Sequence, residues 1–375
     1  MINEMKLSGR ILIAAAIVSI VISLSFAPGA SASCGAVNCF VVIGSQQQVP
    51  QAGLLTVNGI YNYTPMRLLE GTSGVIPAVD QASRQMILDH HKETRTITQQ
   101  ATLDLNYGLT DRLGVQLTVP YMWRTHKHID GLGEGGANGE GDPNRFSANG
   151  IGDIRVGLKY NVLPTLRNMV VLGLGVYLPT GNTHAHDSEE NIMESPTQLG
   201  RGQVGLNPTV YQSYELIPHL LNQFASASYR HTFRNNDGYQ FGDEYMINAG
   251  LNYVATPWLV LTGQVNYRYL VHDNFKSSLS RSATPADAPD FPGEPVVLDP
   301  TIRNRAVPTT GSTYHAFSPG FQVSLGQLVE SSWTNMTSMY FYAQIPFARD
   351  SNGSLAQGTS FVFGLTRSFQ LVKPS

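Results

Sequence analysis

Apolar and polar residues alternate with a period of two in several parts of the chain. In the stretch GIGDIRVGLKY, residues 150–160, Val156 and Leu158 share one parity while Arg155 and Lys159 share the other. A period of two is typical of an extended strand whose two faces meet different surroundings. A sheet packed on a soluble core would satisfy this pattern, and so would the wall of a membrane barrel.

Twelve segments along the chain show this alternation. Each has about the length that a tilted membrane-spanning strand requires. We predict strands at residues 53–63, 95–108, 112–124, 151–162, 168–179, 202–216, 221–233, 244–255, 258–272, 313–326, 334–347 and 358–370.

The connections between these segments alternate in length. Tight turns such as LTD, LPTL, IPHL and ATPW contain the Pro or Asp that closes hairpins. Between them lie mostly long connections, of which 125–150 and 273–312 are examples. Short turns on one side and long loops on the other are typical of bacterial outer-membrane barrels. We therefore predict an all-β fold, a transmembrane antiparallel up-and-down β-barrel of about 12 strands, with short periplasmic turns and long extracellular loops.

The N-terminus predicts export. Lys6 and Arg10 precede an apolar run at 11–24, and small residues follow it, so we predict a signal peptide at 1–32; an uncleaved anchor helix is the alternative. For the rest of the chain we predict a periplasmic segment at 33–52, the barrel at 53–370 and a short C-terminal tail at 371–375.

The chain's two cysteines, Cys34 and Cys39, fall in this predicted periplasmic segment. In an oxidising compartment we expect them to form a disulfide.

Composition narrows the partners. Only 14% of the residues are charged, the net charge is −3, and basic residues are not clustered, which argues against nucleic acid. The 36 glycines and 17 tyrosines suit a wall of strands. The expected localisation is the bacterial outer membrane, and the expected partners are its lipid, the barrel-assembly machinery and a small-molecule solute.

The parity of the strands assigns side chains to the lumen. Charged residues facing lipid at mid-membrane would cost roughly 2–4 kcal/mol, so they are expected to point inward. The predicted pore-lining residues are Asp104, Gln116, Arg124, Asp153, Arg155, Lys159, Arg230, Asn248, Gln264 and Arg268. This slightly cationic set predicts a weak preference for anions.

Several of the ten histidines come in pairs within predicted loops. His126 and His128, and His184 and His186, have the His-x-His spacing that places both rings on the same face of an extended segment. We predict that these four residues bind a divalent metal at the extracellular loops; the alternative is that they are ordinary solvated loop residues. No other cofactor is expected.

Three segments resemble a known family. YGLTDRLGVQLTVPY at 107–121, GIGDIRVGLKY at 150–160 and LGLGVYLPTG at 172–181 resemble outer-membrane barrels labelled for a MetA pathway of phenol degradation. The resemblance implies a barrel that admits or exports small molecules, without identifying the solute. The C-terminus departs from the common aromatic ending, because Phe369 is followed by QLVKPS.

These observations favour a channel or transporter that passes small solutes through a narrow polar lumen. One alternative is a surface metal-binding barrel that uses its His-rich extracellular loops. The other alternative, a lipid-hydrolysing barrel, lacks a distinctive catalytic spacing. We therefore predict that the protein is not an enzyme.

Overall fold

The computed structural model describes most of the chain beyond its N-terminal region. The described residues are 40–80, 85–130, 142–165, 167–186, 192–275, 305–307, 309–329, 331 and 334–372. The predicted signal peptide at 1–32, together with Cys34 and Cys39, lies outside the described residues.

Eighteen strands are present in the described residues. Their bounds are β1 Leu54–Leu68, β2 Val75–Asp80, β3 Gln85–Gly108, β4 Leu113–Asp130, β5 Asp142–Ile151, β6 Ile154–Asn161, β7 Asn168–Leu178, β8 Gly205–Ile217, β9 Leu221–Thr232, β10 Tyr239–Gln240, β11 Glu244–Thr256, β12 Leu259–Leu270, β13 Asn274–Phe275, β14 Arg305–Ala306, β15 Ser312–Ser324, β16 Thr337–Asp350, β17 Leu355–Gln357 and β18 Ser360–Gln370. Three short helical turns accompany them, Gly44–Gln47, Ser195–Thr197 and Leu325–Leu328.

Twelve of these strands form a closed antiparallel barrel. Neighbours in sequence pair with one another from β3 round to β18, and β1 closes the wall because it pairs with both β18 and β3. The strands β5 and β6 share one place in the wall, since both pair with β4. The 12-stranded antiparallel fold predicted from the alternation is confirmed.

The outside of the wall is apolar. Leu158, Leu172, Leu174 and Leu251 are each about half exposed, between 48% and 50%. A closed barrel satisfies every wall hydrogen bond internally, and an apolar outer surface suits lipid, so the fold is that of an outer-membrane protein. Among the described residues, no helix is long and apolar enough to cross a membrane.

The outer end of the barrel is built up further than the turn end. The strands β3 and β4 pair as far as Lys92 and Ile129, well beyond the predicted ends of these strands, and β5 lies against the upper half of β4. The strands β10, β13 and β14 form a separate small sheet. Tyr239, Phe241, Phe275 and Val307 pack together as its apolar core. Segments predicted as loops are therefore partly regular sheet.

Candidate functional site

Many of the side chains on the inner face of the barrel are polar. All ten predicted pore-lining residues lie on this face, where eight are 9% exposed or less and the other two, Arg155 and Arg230, are half-buried. The strand period explains the arrangement, because every second side chain must point inward once the outward face contacts lipid.

Asp104 on β3 forms the centre of a hydrogen-bonded group near the turn end. Its carboxylate accepts hydrogen bonds from Asn58 Nδ2 at 2.8 Å, Gln116 Nε2 at 2.6 Å and Thr118 Oγ1 at 2.9 Å. Gln116 Oε1 in turn accepts a bond of 2.8 Å from Arg155 Nη1. Three neutral donors from the two neighbouring strands, β1 and β4, therefore surround the carboxylate of Asp104.

The segment before β1 lies inside the barrel. We expected residues 33–52 in the periplasm, but residues 40–50 run within the lumen and bond to its wall. Gln264 holds Val42, accepting a bond of 3.0 Å from its N–H and donating one of 3.3 Å to its carbonyl. Asn106 Nδ2 donates to the carbonyl of Gln48 at 2.9 Å, and Lys159 Nζ donates to that of Gln46. We call residues 40–50 the N-terminal plug.

Apolar contacts also hold the N-terminal plug. Ile43 is 5% exposed and packs with Ile60, Tyr340, Tyr342 and Val362. These residues all belong to wall strands, so the lumen contains apolar patches that a purely aqueous pore would not need.

A second set of apolar contacts lies across the lumen. Val42 packs with Val171, Tyr211 and Phe224. The plug therefore contacts wall strands on two sides of the barrel, and it occupies the lumen rather than one face of it.

A second segment enters the lumen from the loop side. Residues 192–201, which we call the loop plug, follow the connection after β7 and include the turn Ser195–Thr197, whose residues are all buried. Arg124 Nη1 donates to the carbonyls of Pro196 at 3.2 Å and Gln198 at 2.6 Å. Asp153 accepts bonds from the N–H groups of Gly181 at 3.1 Å and Arg201 at 2.9 Å. Two predicted pore residues thus fix this segment in place.

Arg201 ends the loop plug and connects it to the wall. Its guanidinium donates to Thr232 Oγ1 at 3.0 Å and lies 3.6 Å from the carboxylate of Glu244. Its Cζ also lies 5.0 Å from the ring centroid of Phe241. Burial lowers the pKa of Arg201 to about 10, so the side chain remains a cation at neutral pH.

Two cavities border the plugs in the described part of the lumen. The outer cavity, of about 180 Å³, is bordered by the loop plug and by Arg124, Asp153, Arg155 and Arg230. The inner cavity, of about 240 Å³, is bordered by the N-terminal plug and has Arg155, Lys159 and Asn248 in its lining. Thr118, Arg155 and Tyr177 line both cavities, and this shared lining marks the boundary between them.

The four predicted metal-binding histidines do not lie together in one group. His126 and His128 are buried on β4, with their rings stacked 5.2 Å apart. His184 and His186 lie in an exposed part of the connection after β7, and His184 Nε2 is 4.0 Å from Asp237. His126 and His128 share a face as their spacing predicted, but the spacing could not show that β4 continues to Asp130 and carries this pair into the lumen.

Sequence reasoning missed the two plugs. The apolar run FVVI at 40–43 was a signal for the N-terminal plug, because such a run has no reason to remain in solvent. The loop plug offers a weaker signal in LGRG at 199–202, because this segment and its neighbours resemble an ordinary loop.

Comparison with known families places this barrel. A family profile described as "Putative MetA-pathway of phenol degradation" matches residues 92–283, just over half of the chain. The chain belongs to this family. The match runs from β3 past the end of β13, so it includes the polar wall residues from Asp104 to Arg268 and the loop plug. No curated protein sequence matches this family member significantly.

A solved structure shares this fold. The COG4313 outer membrane channel from Pseudomonas putida F1 is 12% identical, with 88% of this chain and 100% of that chain covered and a TM-score of 0.52. The toluene transporter TbuX from Ralstonia pickettii is 10% identical, with 86% and 90% covered and a TM-score of 0.39. A FadL homologue from Pseudomonas aeruginosa is 10% identical, with 85% and 90% covered and a TM-score of 0.35.

Proposed function

We propose that this family member is an outer-membrane channel for small solutes, with a narrow polar lumen that the two plugs constrict. The observation that carries the proposal is the pair of cavities that share Arg155 in their lining. Both cavities are smaller than the roughly 300–1,000 Å³ that encloses a drug-sized ligand, so the solute is small. The shared fold with a protein named as an outer membrane channel supports a channel rather than an enzyme.

The charges around the cavities favour anions. Five cationic side chains line the two cavities, namely Arg124, Arg155, Lys159, Arg201 and Arg230. The carboxylate of Asp153 accepts bonds from backbone N–H groups, and that of Asp104 accepts three bonds from neutral side chains. In a low-dielectric constriction an excess of positive charge attracts anions and repels cations. We therefore propose a small anionic solute, while the lipid-hydrolase alternative gains no support from the described contacts.

Charge reversal in the lumen tests this function. Wild-type protein in planar bilayers under a salt gradient should give discrete conductance steps and a reversal potential that indicates a preference for anions. The double variant Arg155→Glu and Lys159→Glu should show a weakened or inverted preference, because two cations become anions where the ions pass.

A matched control keeps the same change in net charge outside the lumen. Arg112 in the turn after β3 and Lys127 on the outward face of β4 are both exposed. The double variant Arg112→Glu and Lys127→Glu should retain the wild-type reversal potential. Equal reversal potentials in all three proteins would remove Arg155 and Lys159 from the conducting path, and folded barrels that never conduct would count against a channel.

A further inference from the structure

A cluster of imidazoles and carboxylates lies on the inner wall at the outer end of the barrel. His91 and Glu93 are two residues apart on β3, and His126 and His128 are two residues apart on β4. All four are buried, with exposed fractions of 5%, 0%, 0% and 6%. Same-parity neighbours share a face of a strand, so two adjacent strands direct four groups that can bind metal toward one place.

A bulge in β3 turns His91 and Glu93 toward the same inner face as His126 and His128. The pairing of β3 with β4 shifts between Glu93 and Arg95, after which Thr96 lies opposite His126. Glu93 lies directly opposite His128 on the other side of this shift. The extra residue changes the parity of β3, so Glu93 and Thr96 both face inward although they are three residues apart. Simple alternation continued from Asp104 would have directed Glu93 outward.

The distances suit a bound ion. One possible ligand atom from each of His91, Glu93 and His126 lies within 4.8 Å of the other two. His126 Nε2 is 3.8 Å from Glu93 Oε1. A tetrahedral zinc ion with bonds of about 2.0–2.1 Å holds its ligand atoms roughly 3.3–3.4 Å apart. Small side-chain movements would therefore close the site around an ion.

Neighbouring side chains hold two of these groups in position. Thr96 Oγ1 is 2.8 Å from His126 Nδ1, which directs the Nε2 atom of that ring toward Glu93. Ser354 Oγ donates to Glu93 Oε2 at 2.8 Å, while the other carboxylate oxygen, Oε1, is the one near His126. Bonds of this kind orient the ligands of protein metal sites.

The loop plug supplies a further carboxylate. Glu194 Oε1 lies 3.6 Å from His91 Nδ1. The ring of His128 lies 5.1 Å from that of His91 and 5.2 Å from that of His126. An ion bound by His91, Glu93 and His126 would thus have Glu194 within reach as a fourth ligand. Glu194 belongs to the loop plug, which borders the outer cavity.

We propose that His91, Glu93 and His126 bind a divalent transition-metal ion, with Zn²⁺ as the best fit. Two imidazoles and one carboxylate are a ligand set that zinc accepts, whereas Ca²⁺ and Mg²⁺ require oxygen ligands. The site differs from a loop site at His184 and His186, and it does not depend on what the channel conducts. Through Glu194 the ion would tie the loop plug to the barrel wall.

Zinc titration of the full-length protein tests the site. The folded barrel in detergent is freed of metal with a chelator and titrated with zinc sulfate by calorimetry. Wild-type protein should bind zinc with about one high-affinity ion per chain, as expected for a closed site. The isosteric variant Glu93→Gln should bind at least about 10-fold more weakly, since even the loss of an orienting partner costs about 10–100-fold. His126→Gln should behave alike.

The variant Thr96→Val separates a metal site from a mere hydrogen-bonded cluster. It keeps all three ligands and the shape of the threonine while removing the bond to His126 Nδ1. We expect a zinc affinity lower by about 10-fold, together with altered visible absorption when Co²⁺ replaces zinc.

The double variant His184→Ala and His186→Ala is the control, because it removes two histidines that lie outside the group. It should retain wild-type zinc binding. The slower gel migration of heated barrels shows for each variant whether the protein folded. Wild-type protein that binds no zinc, zinc affinity unchanged in both Glu93→Gln and His126→Gln, or binding abolished only by the His184 and His186 substitutions would each overturn the proposal.

Discussion

Arg155 links the main parts of the lumen. Its Nη1 atom donates to Gln116, which bonds to Asp104, and its side chain lines both cavities. The missing side chain of Gly175 on the next strand provides the space for this arginine, because a Cβ at that position would overlap Nε and Cζ of Arg155. The guanidinium is therefore held at the boundary by a hydrogen bond on one side and an empty position on the other.

The variant Gly175→Ala should displace Arg155 into the passage. The added methyl group occupies the space of the arginine but leaves its charge in place, so we expect a lower single-channel conductance with the anion preference retained. Gly263→Ala is the control, because a Cβ at this position would contact only the Phe317 ring, at an ordinary distance of 3.6 Å. Replacing a glycine within a strand by alanine should also stabilise the fold by about 0.5–1 kcal/mol. Planar bilayer recordings compare the two. Equal conductances would indicate that ions do not pass Arg155.

At the scale of elements, regular alternation was predictable from the sequence and its interruptions were not. The segment from Leu113 to Trp123 alternates without a break, and β4 follows it. In β3 the bulge after Glu93 reverses the parity of the side chains. In the wall beside β4 the strand is interrupted at Gly152 and Asp153, which separate β5 from β6. Such interruptions depend on cross-strand pairing, which a single sequence does not contain. The inward position of Asp153 was therefore predictable, while its role in holding the loop plug was not.

The N-terminal plug is the element whose removal should change conduction most directly. The variant Ile43→Asp loses a buried isoleucine, which costs about 2–5 kcal/mol, and burying a carboxylate among Ile60, Tyr340 and Val362 adds to this cost. The plug should leave the lumen in a large fraction of molecules, since about 1.4 kcal/mol already changes an equilibrium tenfold.

We expect a higher single-channel conductance and greater susceptibility of residues near 43 to protease, measured on reconstituted protein. The variant Gln51→Asp places the same charge at an exposed position of the same region, and it should conduct as the wild type does. A conductance of Ile43→Asp equal to that of Gln51→Asp would mean that the N-terminal plug does not obstruct the pathway.

At the scale of the whole molecule, the two plugs enter the lumen from opposite ends and approach the boundary between the two cavities. The N-terminal plug reaches the inner cavity from the rim where Gly53 bonds to Gly108, and the loop plug closes the outer cavity from the long-loop rim. Removing one plug should therefore leave the other constriction in place. Each rim of the barrel therefore has its own constriction. The orientation of the barrel in the membrane decides which plug a solute meets first.

The orientation can be measured by cysteine labelling. In a background with Cys34→Ser and Cys39→Ser, Ser73→Cys and Asn236→Cys place thiols at exposed positions on the long-loop rim, while Arg112→Cys and Leu328→Cys place them in turns at the opposite rim. Because outer-membrane barrels keep short turns in the periplasm and long loops outside, an impermeant maleimide should label only the first pair on intact cells. All four should react after the outer membrane is opened, which shows that each thiol is accessible. Labelling of Arg112→Cys and Leu328→Cys on intact cells would reverse the orientation, and a solute entering from outside would then meet the N-terminal plug first.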